Sequence, residues 1–133
     1  MSPDSYVPFD VLQSLARQTD DVTVDCSCNS PALDSWTSLP VSFPEQQLTS
    51  IGTLIEDSYS EPTFEEFHPE KTSIWSADAL VAPRYFPYNR CTVWECSSCR
   101  RIYLRYVEGG GYFVDPRIRR LRSKVLVDAT LPE

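Results

Sequence analysis

Apolar residues recur along this chain in short bursts rather than long periodic runs. Phe9, Leu12 and Ala16 repeat at three- and four-residue steps, with Leu15 beside them, and predict a short helix over Pro8–Arg17. Val22–Cys28 reads as extended. Asn29–Pro40 reads as turn-rich, with Trp36 anchoring it to the core. Leu48, Ile51 and Ile55 fall at helical spacing and predict a helix over Pro44–Ser58. Pro44 suits its first turn and Glu45 the positive end of its dipole. Gly52 weakens it by about 1 kcal/mol relative to alanine.

The C-terminal third changes period. Thr92–Cys96 and Arg101–Val107 alternate like strands. In the second, Ile102, Leu104 and Tyr106 share one face, and Arg101, Tyr103 and Arg105 the other. Glu108–Gly111 predicts a turn and Tyr112–Val114 a third strand. Asp115-Pro116 reads as an N-cap and first helical residue, predicting a helix to about Lys124 with Ile118, Leu121 and Val125 inward. The sum is an α+β fold: one domain over residues 1–133, with short helices around a small antiparallel β-sheet.

Composition sharpens this picture. Eleven prolines against 4 glycines, with 41% apolar and 12% aromatic residues, predict long ordered loops packed by their own rings. Lys71–Arg90, with Trp75, Tyr85, Phe86 and Tyr88, is the main example. No run of about 20 apolar residues occurs, so no membrane span is expected. Met1–Asp10 has neither a basic start nor an apolar stretch, so no secretory signal is expected. The expected compartment is therefore a reducing cytoplasm, where clustered cysteines serve more often as metal ligands than as disulfides.

The 5 cysteines are not scattered. Cys26-Ser27-Cys28 and Cys96-Ser97-Ser98-Cys99 form two tight pairs, one in the N-terminal third of the chain and one in the C-terminal third. The second pair sits on a tight turn between two strand-like runs and resembles one knuckle of a zinc ribbon, with the ribbon-like element spanning about 92–114. Four thiolates from Cys26, Cys28, Cys96 and Cys99 would hold one structural zinc and tie the N-terminal third to the C-terminal third. If residues 91–96 are extended, Cys91 lies about 16 Å from Cys96, too far to share the metal. Reduced cysteines without metal, or disulfide and redox chemistry, are the competing readings. Thioredoxin-like pairs open a helix, whereas the residues after Cys99 alternate as a strand.

Other chemical signals are thin. His68 is the single histidine and lies in an acidic loop, where a plain loop residue is the expected role. Gly109-Gly110-Gly111 lacks the Lys-Ser/Thr of a phosphate loop and reads as a hairpin turn. No complete catalytic constellation is visible, so no enzyme activity is expected.

Charge is unevenly spread. The net charge is −7, yet residues 100–124 alone carry 8 Lys/Arg against 2 carboxylates. The acidic stretch from Glu56 to Glu70 has Glu56, Asp57, Glu61, Glu65 and Glu66 interleaved with Tyr59, Phe64 and Phe67. These five carboxylates are either a solvated surface or a docking face for a basic protein partner. Arg100, Arg101, Arg117, Arg119 and Arg120 are the alternative: a nucleic-acid-binding surface, unless they pair internally with the acidic body.

Tyr85-Phe86-Pro87-Tyr88-Asn89-Arg90-Cys91, Cys96-x-x-Cys99, Leu104-Arg105-Tyr106 and Gly110-Gly111-Tyr112 together resemble a group of small uncharacterised bacterial proteins with C-x-C and C-x-x-C pairs. The resemblance covers roughly residues 26–128 and carries no catalytic residues. Small acidic bacterial proteins of this class look similar to immunity proteins, which neutralise antibacterial toxins by direct binding. That likeness implies a non-enzymatic protein whose partner is a basic toxin. The alternative is a zinc-ribbon nucleic-acid-binding or regulatory protein.

Overall fold

Strand pairing, far more than helix packing, organises the chain. The structure is a computed structural model and describes residues 5–29, 32–57, 59, 61–110 and 113–131. Among the described residues one α-helix, α1 (Phe9–Asp20), precedes five strands: β1 (Thr37–Ser38), β2 (Leu48–Thr53), β3 (Thr92–Cys96), β4 (Ile102–Gly110) and β5 (Phe113–Arg120). They form an antiparallel open sheet in the order β1-β5-β4-β3-β2. The fold is α+β, as expected, but the sheet extends well beyond residues 92–114. No helix among the described residues is long and apolar enough to cross a membrane.

Helix α1 forms where its apolar spacing predicts and runs three residues further. It buries Leu12, Ala16 and Thr19 and carries Asp10 in its first turn and Arg17 in its last, both favourable to the dipole. Thr19 ties it to the sheet, its hydroxyl accepting the Ile102 amide at 3.2 Å.

The two other expected helices are absent. Pro44–Ser58 instead holds a single 3-10 turn, Glu45–Gln47, followed by β2. Residue 58 lies outside the described residues. A bulge explains the false helical spacing. Ser50 pairs with Trp94 and Gly52 with Val93, so Ile51 is the extra residue. Leu48 then packs in one apolar cluster while Ile51 and Leu54 pack in another. A helical stripe would have put Leu48 and Ile51 on one side.

Asp115–Lys124 likewise becomes β5 and a 3-10 turn at Ser123–Val125. Eight register pairs with β4, from Tyr103↔Arg120 to Gly110↔Phe113, outweigh the local Asp-Pro helix signal. Ile118 joins one cluster, and Leu121 and Val125 the other. Of the expected turn over Glu108–Gly111, residues Glu108–Gly110 instead continue β4, paired with the first residues of β5; Phe113 and Val114 are strand as expected, and Gly111 and Tyr112 lie outside the described residues.

The sheet thus separates two apolar clusters, and alternation along β3 and β4 divides them. Val93, Ile102, Leu104 and Tyr106 face a larger cluster with Leu12, Ala16, Trp36, Val81 and Tyr88. Trp36 meets Tyr106 edge-on at 4.8 Å and donates its indole N–H to the Tyr88 hydroxyl at 3.2 Å. On the other side, Trp94, Cys96 and Tyr103 join Cys26, Cys28, Cys99, Leu48 and Ile118.

Arg119 lies fully buried in the interior. Its guanidinium donates to the carbonyls of Asp34, Ala77 and Ala79 at 2.9–3.1 Å and to the Tyr88 hydroxyl at 2.6 Å. One cation thereby satisfies carbonyls from two loops that carry no ladder of their own. Removing it leaves a cavity and several orphaned acceptors. Arg119→Ala is expected to cost about 3 kcal/mol or more in urea unfolding. A loss below about 1 kcal/mol would contradict this role.

Candidate metal centre

Each cysteine pair is shaped by a different local device. Cys96 ends β3, and the chain reverses through Ser97–Cys99 before β4. The Arg100 amide bonds the Cys96 carbonyl at 2.9 Å, and the Cys96 amide bonds the Arg101 carbonyl at 2.9 Å. The reversal is completed by Arg100 in the left-handed region, at φ 75. Helix α1 braces it: Gln18 Nε2 donates to the Arg100 carbonyl at 2.9 Å and to Glu95 Oε2 at 2.7 Å. Cys26 and Cys28 ride instead on a 3-10 turn, Ser27–Asn29, with the Asn29 amide bonding the Cys26 carbonyl at 3.0 Å.

These devices bring four sulfurs from chain segments some 70 residues apart to one point. All four Sγ atoms lie within 4.8 Å of one another. Cys26 and Cys96 are 3.8 Å apart, and Cys28 and Cys99 3.5 Å. A disulfide needs about 2.05 Å, and all the cysteines are free thiols here. Three of the four are buried and Cys26 half-buried. The four cysteines expected from the sequence can therefore hold one metal ion. Cys91 lies elsewhere, buried in the larger cluster with its thiol on the Pro87 carbonyl at 3.3 Å.

The surroundings favour negative sulfur at some positions and oppose it at others. Burial pushes the Cys28 thiol up, against the Tyr103 hydroxyl 3.2 Å away, which favours the thiolate. Burial also raises Cys96, although the amides of Cys99 and Ser98 point at its sulfur. For Cys99 burial is outweighed by the Arg101 amide, Cys28 and the Arg101 guanidinium, leaving it at about 7. Arg101 is buried, with one N–H on Cys99 Sγ at 3.5 Å and another on the Val24 carbonyl at 2.9 Å. Gln47 closes the remaining side, its Oε1 within 3.7 Å of both Cys26 and Cys96 sulfurs.

No protein-family model, curated protein or solved structure matches the chain. The reading of the site therefore rests on its geometry.

The two charged surfaces are placed very differently. Among the five arginines of the expected nucleic-acid surface, Arg101 and Arg119 are buried. Arg117 is 17% exposed and pairs with Asp115 at 3.0 Å, with its guanidinium over Trp75. Arg120 is 19% exposed and pairs with Asp34 at 3.3 Å. Arg100 alone of the five is well exposed, paired with Glu95 at 2.6 Å. By contrast Glu56, Asp57, Glu61, Glu65 and Glu66 are all exposed, as are Tyr59 and Phe64. Their loop is anchored from beneath: Asn89 donates to the Thr63 carbonyl, Arg90 to the Pro62 carbonyl, and Arg90 also stacks on Phe64. His68 contacts Glu66 at 2.7 Å and Thr72 at 3.1 Å.

Tyr103 and Gln47 were not singled out as site residues from sequence. Tyr103 carried a usable signal, since it alternates onto the face opposite Ile102 and Leu104. Gln47 carried none, because its role depends on a turn read as helix.

The thiol shifts set opposite pH dependences for the metal-free and metal-loaded protein. Cys28, Cys96 and the fully buried Cys91 are raised, so their contribution is complete below the ordinary thiol value near 8.5 and is lost as pH rises through the raised values. Cys99 is lowered, so its contribution is present above the ordinary value and lost as pH falls through about 7. Three raised thiols outweigh one lowered, so metal-free protein should lose stability above roughly pH 8.5. Bound metal competes with protons for sulfur and reverses that slope. Urea unfolding under reducing conditions, with and without metal, measures both. Equal slopes in the two states would contradict a thiolate–metal centre.

Proposed function

We propose that the protein is a non-enzymatic binding protein in which one structural zinc clamps the fold and the acidic loop at residues 56–66 docks on a basic protein. An immunity protein that neutralises an antibacterial toxin is the most concrete form of this reading. Four sulfurs tetrahedrally placed about 2.3 Å from zinc are separated by about 3.8 Å; the Cys26–Cys96 and Cys28–Cys99 pairs lie at 3.8 and 3.5 Å, and all four sulfurs lie within 4.8 Å of one another. An all-sulfur donor set also suits zinc and leaves no open position for substrate. Four thiolates with one divalent ion carry two excess negative charges, and the buried Arg101 guanidinium offsets one of them. The strand–turn–strand around Cys96 and Cys99 supports the zinc-ribbon comparison for one half of the site. The Cys26 and Cys28 half is a 3-10 turn.

The observation that carries the partner reading is the unequal fate of the two charge classes. Most arginines of the basic segment are buried or paired with internal carbonyls, carboxylates and sulfur, with Arg100 and Lys124 left exposed. The five carboxylates of the acidic loop are instead all exposed, beside exposed aromatic rings and with Glu66 held by His68. Exposed carboxylates steer a cationic partner and set its association rate, while Tyr59 and Phe64, 99% and 63% exposed, supply apolar contact.

An affinity capture from the native host identifies the partner, and a charge-reversal variant then tests the surface. Reversing Glu61, Glu65 and Glu66 together should weaken binding to that basic protein at least about tenfold and flatten its salt dependence. Unchanged affinity and salt dependence would remove the acidic loop as the docking face.

A further inference from the structure

The four sulfurs of the metal centre are not equivalent. Cys28, Cys96 and Cys99 are 1%, 0% and 8% exposed, whereas Cys26 is half-buried and meets solvent. Cys26 stands just before the 3-10 turn Ser27–Asn29, which carries Cys28 inward. A small oxidant arriving from solvent therefore reaches Cys26 first.

The side chains around the sulfurs divide them the same way. The Tyr103 hydroxyl donates to Cys28 Sγ at 3.2 Å, and the Arg101 guanidinium to Cys99 Sγ at 3.5 Å. Both donors are buried. They draw electron density from those two sulfurs and make them poorer nucleophiles. Cys26 and Cys96 instead share Gln47, whose Oε1, an acceptor, lies 3.7 and 3.6 Å from their sulfurs. The Gln47 Nε2 is turned to Ser27 Oγ at 3.0 Å. The amides of Cys99 and Ser98 do reach Cys96, but that sulfur is buried and does not meet the oxidant directly. Cys26 Sγ and Cys96 Sγ stand 3.8 Å apart and reach disulfide distance by closing less than about 2 Å. The Cys28–Cys99 pair is closer, at 3.5 Å, yet both its sulfurs are buried and bound by donors, so access outweighs distance.

We propose that Cys26 is a site of peroxide modification, that Cys96 resolves it, and that the Cys26–Cys96 disulfide takes over the clamp as the metal leaves. This rests on the reading of the four cysteines as one zinc centre and goes further, naming its regulation. The Cys26 thiolate attacks one oxygen of hydrogen peroxide; the O–O bond breaks, hydroxide leaves, and Cys26 becomes a sulfenic acid. The Cys96 thiolate then attacks the Cys26 sulfur, the S–O bond breaks, and a second hydroxide leaves. Two sulfurs together lose two electrons, one peroxide gains them, and two protons from solvent convert both hydroxides to water. Cys28 and Cys99 stay reduced, and two sulfurs are too few for a structural zinc, which takes four ligands. The bridge joins the same two segments as the metal, so the N-terminal third stays tied to the C-terminal third.

The test uses the metal-loaded full chain and hydrogen peroxide. Zinc release is followed with a chromogenic chelator, while free thiols are alkylated and disulfides mapped by mass spectrometry. Zinc release should track formation of a Cys26–Cys96 bridge, with Cys28, Cys91 and Cys99 recovered as alkylated thiols and dithiothreitol restoring metal binding. Cys26→Ser should slow peroxide-driven release at least about tenfold. Where that variant fails to hold zinc, the map of the unaltered chain decides. A first bridge of Cys26–Cys28, Cys96–Cys99 or Cys28–Cys99, zinc release with every thiol still free, or no reaction with peroxide would each overturn the proposal. Its outcome separates from that of the zinc reading. Starting protein without zinc removes that reading alone, and the disulfide map of the same protein still supports or overturns the Cys26–Cys96 pair.

Discussion

The convergence of four cysteine sulfurs is the constraint on which the second face of the sheet depends. The end of β3 and the turn into β4 are fixed by ladder hydrogen bonds, but the segment carrying Cys26 and Cys28 has only a short 3-10 turn of its own. It is held by the sulfurs, by the Tyr103 hydroxyl on the Cys28 carbonyl at 3.1 Å and by Arg101 on the Val24 carbonyl. A metal joining the pairs would close a loop of about 70 residues. In the chain-entropy model of a cross-link, a loop of that length contributes about 4 kcal/mol by restricting the unfolded chain. For a domain whose net stability is on the order of 5–15 kcal/mol, that is a large share.

Buried arginines do for the loops what the cluster does for the N-terminal segment. Arg119 binds three carbonyls and a phenol, and Arg122 reaches the Asp34 and Ala77 carbonyls. Arg101 links Val24 to Cys99. A chain rich in proline and poor in regular structure has many carbonyls without ladder partners, and guanidinium groups with five fixed donors satisfy several at once. Much of the positive charge concentrated at residues 100–124 therefore serves the interior, Arg100 and Lys124 excepted. The carboxylates of the acidic loop remain exposed to solvent.

How far the sequence revealed this varied with the range of the interactions concerned. Helix α1 was legible because its Leu12 and Ala16 stripe is local. Strands β3 and β4 were legible because alternation at Ile102, Leu104 and Tyr106 survives into the sheet unbroken. The cysteine pairs were legible because short spacing alone predicts convergence. Strand β2 was not, and β5 was legible only at its first two residues, Phe113 and Val114. A bulge at Ile51 imitates a helical step, and Asp115-Pro116 imitates a helix start, while the deciding partners lie tens of residues away. Single-residue patterns cannot register that competition. The same limit hid the fate of Arg101 and Arg119: charge predicts exposure, and only the fold shows carbonyls and sulfur waiting for them.

The central claim is that four thiolates hold one zinc and that this clamp shapes the molecule. Zinc-edge X-ray absorption, with metal content measured on protein purified without added metal, tests it most directly. The account predicts one zinc per chain with four sulfur neighbours at about 2.3 Å. Metal-free protein that folds unchanged, or zinc bound by nitrogen and oxygen, would contradict it.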